Sequence, residues 1–301
     1  MEVNYAIEAS LHKSYSKFEL NIPRLMVPKG FATALIGENG AGKTTLLNIL
    51  AGIRLDYQGE ITYLGRYSDR QREELSEVKE KIGYTGPGGY YLPQWKIAQV
   101  AQISELLFST FRKERFDMWC RQLAIGGEGV AANKKISSLS DGNREKLMIA
   151  GVLSRDTELL LMDEPASPLD PLMRERLCEI IRDYLLEDEG ERSVFFSTHN
   201  IADMEDVTDY AIIMANGQIA EAGFVEDLKE KYVFVRGEAE DIPLAEKTLF
   251  RISSGKYGFE GVCLAKKLEQ LAGCDISLET PTLSQISVAV MDHSRNMERQ
   301  G

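Results

Sequence analysis

The sequence predicts an α/β fold built on a buried parallel sheet, and three observations carry the prediction. The runs Glu158 to Met162 and Ser193 to Ser197 are apolar almost throughout, as strands covered on both faces are. Between them Pro171 to Leu186 has helical spacing, giving strand, crossover helix, strand. A glycine-rich turn, Gly37 to Gly42, joins the strand-like Ala32 to Ile36 to a helical Lys43 to Ala51.

The remaining elements follow in order. Residues 3–36 alternate apolar and polar positions in short runs, among them Glu19 to Ile22, and read as strands. Glu60 to Leu64 is a strand closed by Gly65, and the charged stretch Asp69 to Lys81 is helical. From Gln94 to about Leu123 the pattern is that of an amphipathic helix, with Val100, Ile103, Leu106, Leu107 and Phe111 on the packed side. Ala211 to Met214 and Gln218 to Ala220 flank Asn216-Gly217, a hairpin signal. Beyond Gly223 the patterning changes. Residues 225–301 mix a strand-like Tyr232 to Val235, a helix candidate Gly261 to Leu271 and a polar end. They read as a separate extension whose Val262, Leu264, Leu268 and Leu271 need a covering surface.

Composition narrows the function. The 301 residues are 44% hydrophobic, enough for a large core. Lys plus Arg is 35 and Asp plus Glu is 47, so the net charge is −12, with no dense basic block; this argues against a nucleic-acid surface. The longest apolar runs, such as Leu159 to Met162, fall far short of the roughly 20 residues of a membrane-spanning helix. Met1-Glu2-Val3-Asn4 has neither the basic nor the apolar region of a signal peptide. Cys120, Cys178, Cys263 and Cys274 are scattered with no C-x-x-C pair, as in reduced intracellular proteins.

Three motifs carry chemistry. Gly37-Glu38-Asn39-Gly40-Ala41-Gly42-Lys43-Thr44 fits G-x-x-x-x-G-K-[ST], the phosphate loop. Its glycines let backbone N–H groups turn toward phosphates. Lys43 supplies a cation, and the Thr44 hydroxyl can ligate Mg²⁺. Leu159 to Met162 ends in Asp163-Glu164, 119 residues after Thr44. Asp163 suits the metal, through a water, and Glu164 suits the general base that activates water. Leu139-Ser140-Asp141-Gly142-Asn143 precedes a helical Arg144 to Leu153 and begins 24 residues before Asp163; Ser140 or Asp141 could cap that helix. His199 ends the strand Ser193 to Thr198, 36 residues after Asp163.

In this order the motifs resemble the nucleotide-binding domain of ABC ATPases over roughly residues 3–224. Leu139 to Asn143 is similar to the family's LSGGQ signature, Ser167-Pro168-Leu169-Asp170 to its D-loop, and His199 stands at its switch histidine. The resemblance implies a P-loop core sheet, an antiparallel N-terminal sheet, a helical subdomain near residues 87–155 and a small α+β extension at 225–301. It implies ATP and Mg²⁺ as ligands, held by Gly37, Asn39, Gly40, Ala41, Gly42, Lys43, Thr44, Thr45 and Asp163, with Tyr15 against adenine. Glu164 and His199 would be catalytic. Ser140 and Gly142 would meet the ATP of a second ATPase subunit in a head-to-tail dimer, homo- or heterodimeric.

The pores would be separate transmembrane permease subunits, with this chain on the inner face of the cell membrane. The single ATPase domain, the non-standard signature and the short tail are similar to exporters of peptides, antibiotics or lipids, the bacitracin-exporter type. One element departs from the family pattern. A glutamine is expected just after Ile82 to Tyr84, but the chain reads Thr85-Gly86-Pro87-Gly88-Gly89, and Gln94 follows only after Pro93. This puts coupling and hydrolysis rate in question and leaves a non-hydrolysing ATP sensor as the alternative.

Overall fold

The computed structural model describes residues 4–87, 91–125, 132–256 and 258–300. Strands β1 (Tyr5–Ser14) and β2 (Glu19–Pro28) lead into β3 (Ala32–Gly37), the glycine loop and helix α1 (Lys43–Leu50). β4 (Gln58–Tyr63) and β5 (Tyr67–Ser68) complete an antiparallel sheet of order β2-β1-β4-β5. Helix α2 (Arg72–Lys81) starts three residues later than its charge pattern predicts. The reason is Asp69, whose carboxylate accepts from the Ile61 N–H and the Tyr57 hydroxyl and so belongs to a turn.

After β6 (Ile82–Thr85) the predicted single helix is two, α3 (Ile97–Leu107) and α4 (Lys113–Gln122). Phe108 adopts an extended conformation and ends α3. The chain then turns, so Val100 and Phe111 are buried while Leu106 and Leu107 are exposed, against expectation. Helix α5 (Asp141–Leu153) follows, then β7 (Leu159–Asp163), α6 (Pro171–Leu186) and β8 (Ser193–Thr198). The hairpin β9 (Tyr210–Ala215) and β10 (Gln218–Phe224) turns at Asn216 and Gly217, both with positive φ, as a two-residue hairpin turn requires.

The central sheet has the order β10-β9-β3-β8-β7-β6 and is parallel except for β10. β3, β7 and β8 are buried at every residue, which explains their unbroken apolar runs. One face packs on the antiparallel sheet and α1, the other on α3 to α6. Burying both faces of these strands is the chief stabilising term, at roughly 25 cal/mol per Å² of apolar surface removed from water.

The tail comprises α7 (Val225–Lys231), β11 (Tyr232–Gly237), α8 (Ile242–Thr248), β12 (Arg251–Gly255), β13 (Gly258–Leu264), β14 (Ile276–Glu279) and α9 (Leu283–Gln300). Its sheet has the order β12-β13-β11-β14. Gly261 to Leu271 is not one helix: Gly261 pairs with Val235 and Ile252 within β13, and only Ala265–Leu271 winds, as a 3₁₀ segment. A small core of Val235, Ala245, Leu249, Phe259, Cys263 and Leu271 belongs to the tail alone. The polar end hides α9, whose Leu283, Ile286, Ala289 and Val290 form a buried stripe at helical spacing. That stripe, with Val225, Leu228 and Tyr232, joins the core beneath the central sheet. Among the described residues no helix is long and apolar enough to cross a membrane.

Candidate functional site

The loop between β3 and α1 places Gly37 at a buried strand end and leaves Asn39 and Gly40 exposed. Gly40 and Gly42 have φ of 87° and 103°, the left-handed region that lets consecutive N–H groups converge. Ala41 is buried, and Thr44 and Thr45 lie on the first turn of α1, Thr44 exposed. Lys43 is buried. Its Nζ donates to the carbonyls of Gly37 (2.7 Å) and Glu38 (3.2 Å) and lies 3.4 Å from Glu164 Oε1.

Asp163 and Glu164 end β7 beside the loop. Asp163 is 1% exposed. Its Oδ1 accepts the Ser197 hydroxyl, whose oxygen in turn accepts the Glu164 N–H at 3.0 Å. Asp163 Oδ2 is buried with no hydrogen-bond partner among the described residues. Such an oxygen fits a hydrated Mg²⁺, for which the exposed Thr44 on the first turn of α1 would supply a second oxygen. Glu164 sits at φ 53°, a strained position for a non-glycine residue. Its Oε2 accepts from Ser167 (2.8 Å) and is 2.7 Å from His199 Nδ1. Burial pushes this carboxyl up, but the Ser167 and His199 hydrogen bonds and the Lys43 and His199 charges outweigh burial and hold it below the usual range.

Ser140 and Gly142 open α5. The Ser140 hydroxyl, not Asp141, caps the helix, accepting from the Asn143 N–H at 3.3 Å. Asp141 points to solvent, 87% exposed, and pairs with Arg144 at 3.1 Å. A Cβ on Gly142 would stand 2.7 Å from the Pro168 carbonyl, so the signature turn and the D-loop touch within one chain. Asp170 caps α6 through the Met173 N–H at 3.1 Å. Tyr15 lies in the turn between β1 and β2, its half-exposed ring 6.0 Å from Phe18, and Phe18 packs over Gly42. Lys13 and Arg54 flank the Tyr15 ring at 5.3 and 5.7 Å.

A cavity of about 580 Å³ opens beside these groups, walled by Gly86, Pro87, Asp141, Glu145, Asp163 and Glu164. Gln94 is exposed and is not among the residues that wall this cavity; Gly88 and Gly89 lie outside the described residues. Sequence reasoning missed Ser197, Glu145 and Arg295. Ser197 was readable as a hydroxyl two residues before His199. Glu145 was readable as an acid within a largely apolar helix face. Arg295, which pairs with Glu38 of the phosphate loop from α9, left no local signal.

A phosphate loop at the end of a parallel strand, with paired acids ending the next strand but one in the same sheet, defines a P-loop nucleotide-binding domain. The ABC transporter family profile matches residues 20–167. An uncharacterized ABC transporter ATP-binding protein, YxlF of Bacillus subtilis, is 31% identical over 74% of this chain and 72% of its own length. The tungstate uptake system ATP-binding protein TupC of Peptoclostridium acidaminophilum is 29% identical over 71% of this chain and 96% of its own. The match to another such protein, from Synechocystis, spans 56% of that protein's length at 31% identity. Among solved structures, a dimeric bacterial ABC transporter cassette superposes with a TM-score of 0.62 at 22% identity, over 72% of this chain and 98% of the other. The chain belongs to the ABC transporter ATP-binding proteins.

Proposed function

We propose that the chain binds and hydrolyses ATP to drive separate membrane permease subunits, acting as a head-to-tail dimer with a second ATPase subunit. The observation that carries this is the convergence of Lys43, Ser167 and His199 on the single carboxylate of Glu164, at the mouth of the phosphate loop. Backbone amides of residues 39–44 and the Lys43 ammonium hold the phosphates, and Tyr15 covers adenine. Thr44 and Asp163 hold Mg²⁺, which when bound neutralises phosphate charge. Glu164, fixed by His199 and Ser167, accepts the proton of the attacking water. Ser140 and the Gly142 amide, with the positive end of α5, face the nucleotide of the partner subunit.

An apolar groove of about 400 Å³ supports the membrane partner. Ile53, Tyr84, Trp95, Leu107 and Phe108 line it, and Leu107 is among the few large apolar side chains left exposed. A cytoplasmic segment of the permease fits it, placing the chain on the inner membrane face. Export of peptides, antibiotics or lipids is the direction we favour, from the Leu139 to Asn143 signature and the short tail; TupC, a relative named for uptake, makes import the competing direction.

The second reading, an ATP sensor without turnover, is favoured by one observation: Gly86 and Pro87 stand where the family carries glutamine. Phosphate release by the purified chain, with and without co-expressed membrane subunits, separates the two. Tight ATP binding with no release under either condition overturns the hydrolytic reading. Uptake against efflux in sealed vesicles decides direction.

A further inference from the structure

Glu145 stands in the second turn of α5 and is 5% exposed. Its Oε1, like Asp163 Oδ2, is buried without a hydrogen-bond partner among the described residues, and both residues wall the same cavity. The Thr85 hydroxyl at the end of β6 is a third such oxygen. Leaving buried polar oxygens unpaired costs free energy, and two acids sharing one cavity repel each other. An apolar side chain at position 145 would remove both costs, as the flanking Leu147, Met148 and Ile149 show by being buried without penalty. Burial, with the Asp163 charge beside it, pushes the Glu145 carboxyl up to about 8, so in the empty site it holds its proton, and only a cation in the cavity would leave it charged.

Among the described residues no cation supplies that compensation. The cations of the phosphate loop and of the cavity wall are engaged elsewhere: Lys43 with the Gly37 and Glu38 carbonyls and Glu164, Arg295 with Glu38, and Arg144 with Asp141. Nor is it a metal held by protein alone, since among the described residues no cluster of three His, Cys, Asp or Glu could bind one. A divalent cation that brings most of its oxygen ligands with it, as a nucleotide-bound Mg²⁺ does, satisfies the remaining two or three. The third wall explains why the extra donor comes from α5. Gly86 and Pro87 follow Thr85 and offer the cavity no polar side chain.

We propose that Glu145 is an additional oxygen donor for the divalent cation of bound nucleotide, reaching it directly or through one of its waters alongside Asp163. The proposal rests on the ATP-binding reading above. Glu145 is a positioning residue: it sets the cation's seat and touches neither the attacking water nor the γ-phosphate.

Mn²⁺ is the probe. The full chain, saturated with a non-hydrolysable ATP analogue, is titrated with Mn²⁺ and the free ion followed by electron paramagnetic resonance. Nucleotide affinity is measured separately in EDTA. For E145A we expect Mn²⁺ affinity to fall at least tenfold, with metal-free nucleotide affinity within twofold of wild type. E145Q, which keeps a carbonyl oxygen, should lie between. Unchanged Mn²⁺ affinity in folded E145A overturns the proposal, as does an equal loss with and without metal, the mark of a merely structural role. If E145A does not fold, E145L, which fills the space without an oxygen, replaces it under the same criteria. A wild-type chain that binds no nucleotide even in EDTA removes the ATP reading itself, and this proposal with it.

Discussion

His199 Nδ1 lies 2.7 Å from Glu164 Oε2, and the Ser167 hydroxyl donates to the same oxygen at 2.8 Å. Two groups from different segments, the end of β8 and the D-loop, thus orient one carboxylate whose backbone is itself strained. The arrangement leaves Oε1 turned toward Lys43 and the phosphate loop. Replacing Glu164 by Gln keeps the shape and the Ser167 contact but removes proton acceptance. We expect E164Q to lose at least about 10²-fold in turnover, the usual worth of a general base, while ATP affinity holds. Light scattering with ATP and Mg²⁺ should show the dimer accumulating. Turnover near wild type would take Glu164 out of the mechanism.

On the proposed reading His199 acts through Glu164, to which it is hydrogen-bonded, and the two should then not be additive. H199A alone is expected to slow turnover roughly tenfold or more, whereas H199A in an E164Q background should cost little further. A full extra loss in the double variant would show that His199 works on the phosphate independently of the carboxylate.

How far the sequence disclosed this site depends on how local each signal is. Gly37 to Thr44 is a contiguous loop whose glycines and lysine are dictated by one geometry, so it was readable outright. β7 and β8 were readable because burial on both faces removes polar residues from every position. Asp163, Glu164 and His199 follow from being the residues at which those strands end. What was not legible is tertiary. The break after Leu107 is made by an extended Phe108, with no proline or glycine to announce it. Ser197 and Glu145 carry a local signal, a hydroxyl two residues before His199 and an acid on a largely apolar helix face, but their roles appear only once β8 lies beside β7 and α5 beside Asp163; Arg295 meets Glu38 across most of the chain's length with no local signal at all.

The tail illustrates the same limit. Its changed patterning suggests a detachable unit, yet Leu283, Ile286, Ala289 and Val290 of α9 are buried in the core under the central sheet, and His293 stacks on Phe250 at a ring distance of 4.3 Å. I286A should cost about 2–5 kcal/mol, a large fraction of a typical 5–15 kcal/mol domain stability. Truncation at residue 224 is expected to give aggregated product in place of a folded ATPase domain. Chemical denaturation checks the first and sedimentation the second; a monodisperse truncated protein that binds ATP would show that the tail merely leans on the core.

The α9 contact reaches the nucleotide loop as well. Arg295 pairs with Glu38, an ion pair half open to solvent, so its own worth in stability is small, about 0–1 kcal/mol. Its effect on the ligand should be larger. Glu38 borders the phosphate loop, and losing its partner leaves an unscreened negative charge beside the phosphates. R295A is expected to leave the melting temperature within about 2 °C and to weaken ATP binding several-fold at low salt, with the difference shrinking as salt rises. Equal affinities at low salt would confine Arg295 to tethering the helix.

The signature turn offers the sharpest test of whether charge or capping governs α5. Ser140 is the cap, so S140A removes a hydrogen bond worth about 1 kcal/mol and, in the dimer, one contact to the partner's nucleotide. Asp141 is different. It stands at the first helical position, pairs with Arg144 three residues on, and points to solvent. Its carboxylate complements the helix dipole by about 0.3–1 kcal/mol, and the pair adds about 0.2–0.5 kcal/mol. D141G therefore costs roughly 1 kcal/mol in stability, through the dipole and the pair and not through the cap. Turnover responds to a separate quantity, the field that the acid projects on the partner's phosphates. Arg144 neutralises most of that field at 3.1 Å, so the rate should change less than threefold. R144A should then expose it: with the acid unpaired, turnover falls in R144A and recovers in the R144A/D141G double variant. A tenfold rate increase in D141G alone, equivalent to about 1.4 kcal/mol of barrier, would mean that Asp141 faces the triphosphate in the working dimer and that the Arg144 pair is broken there.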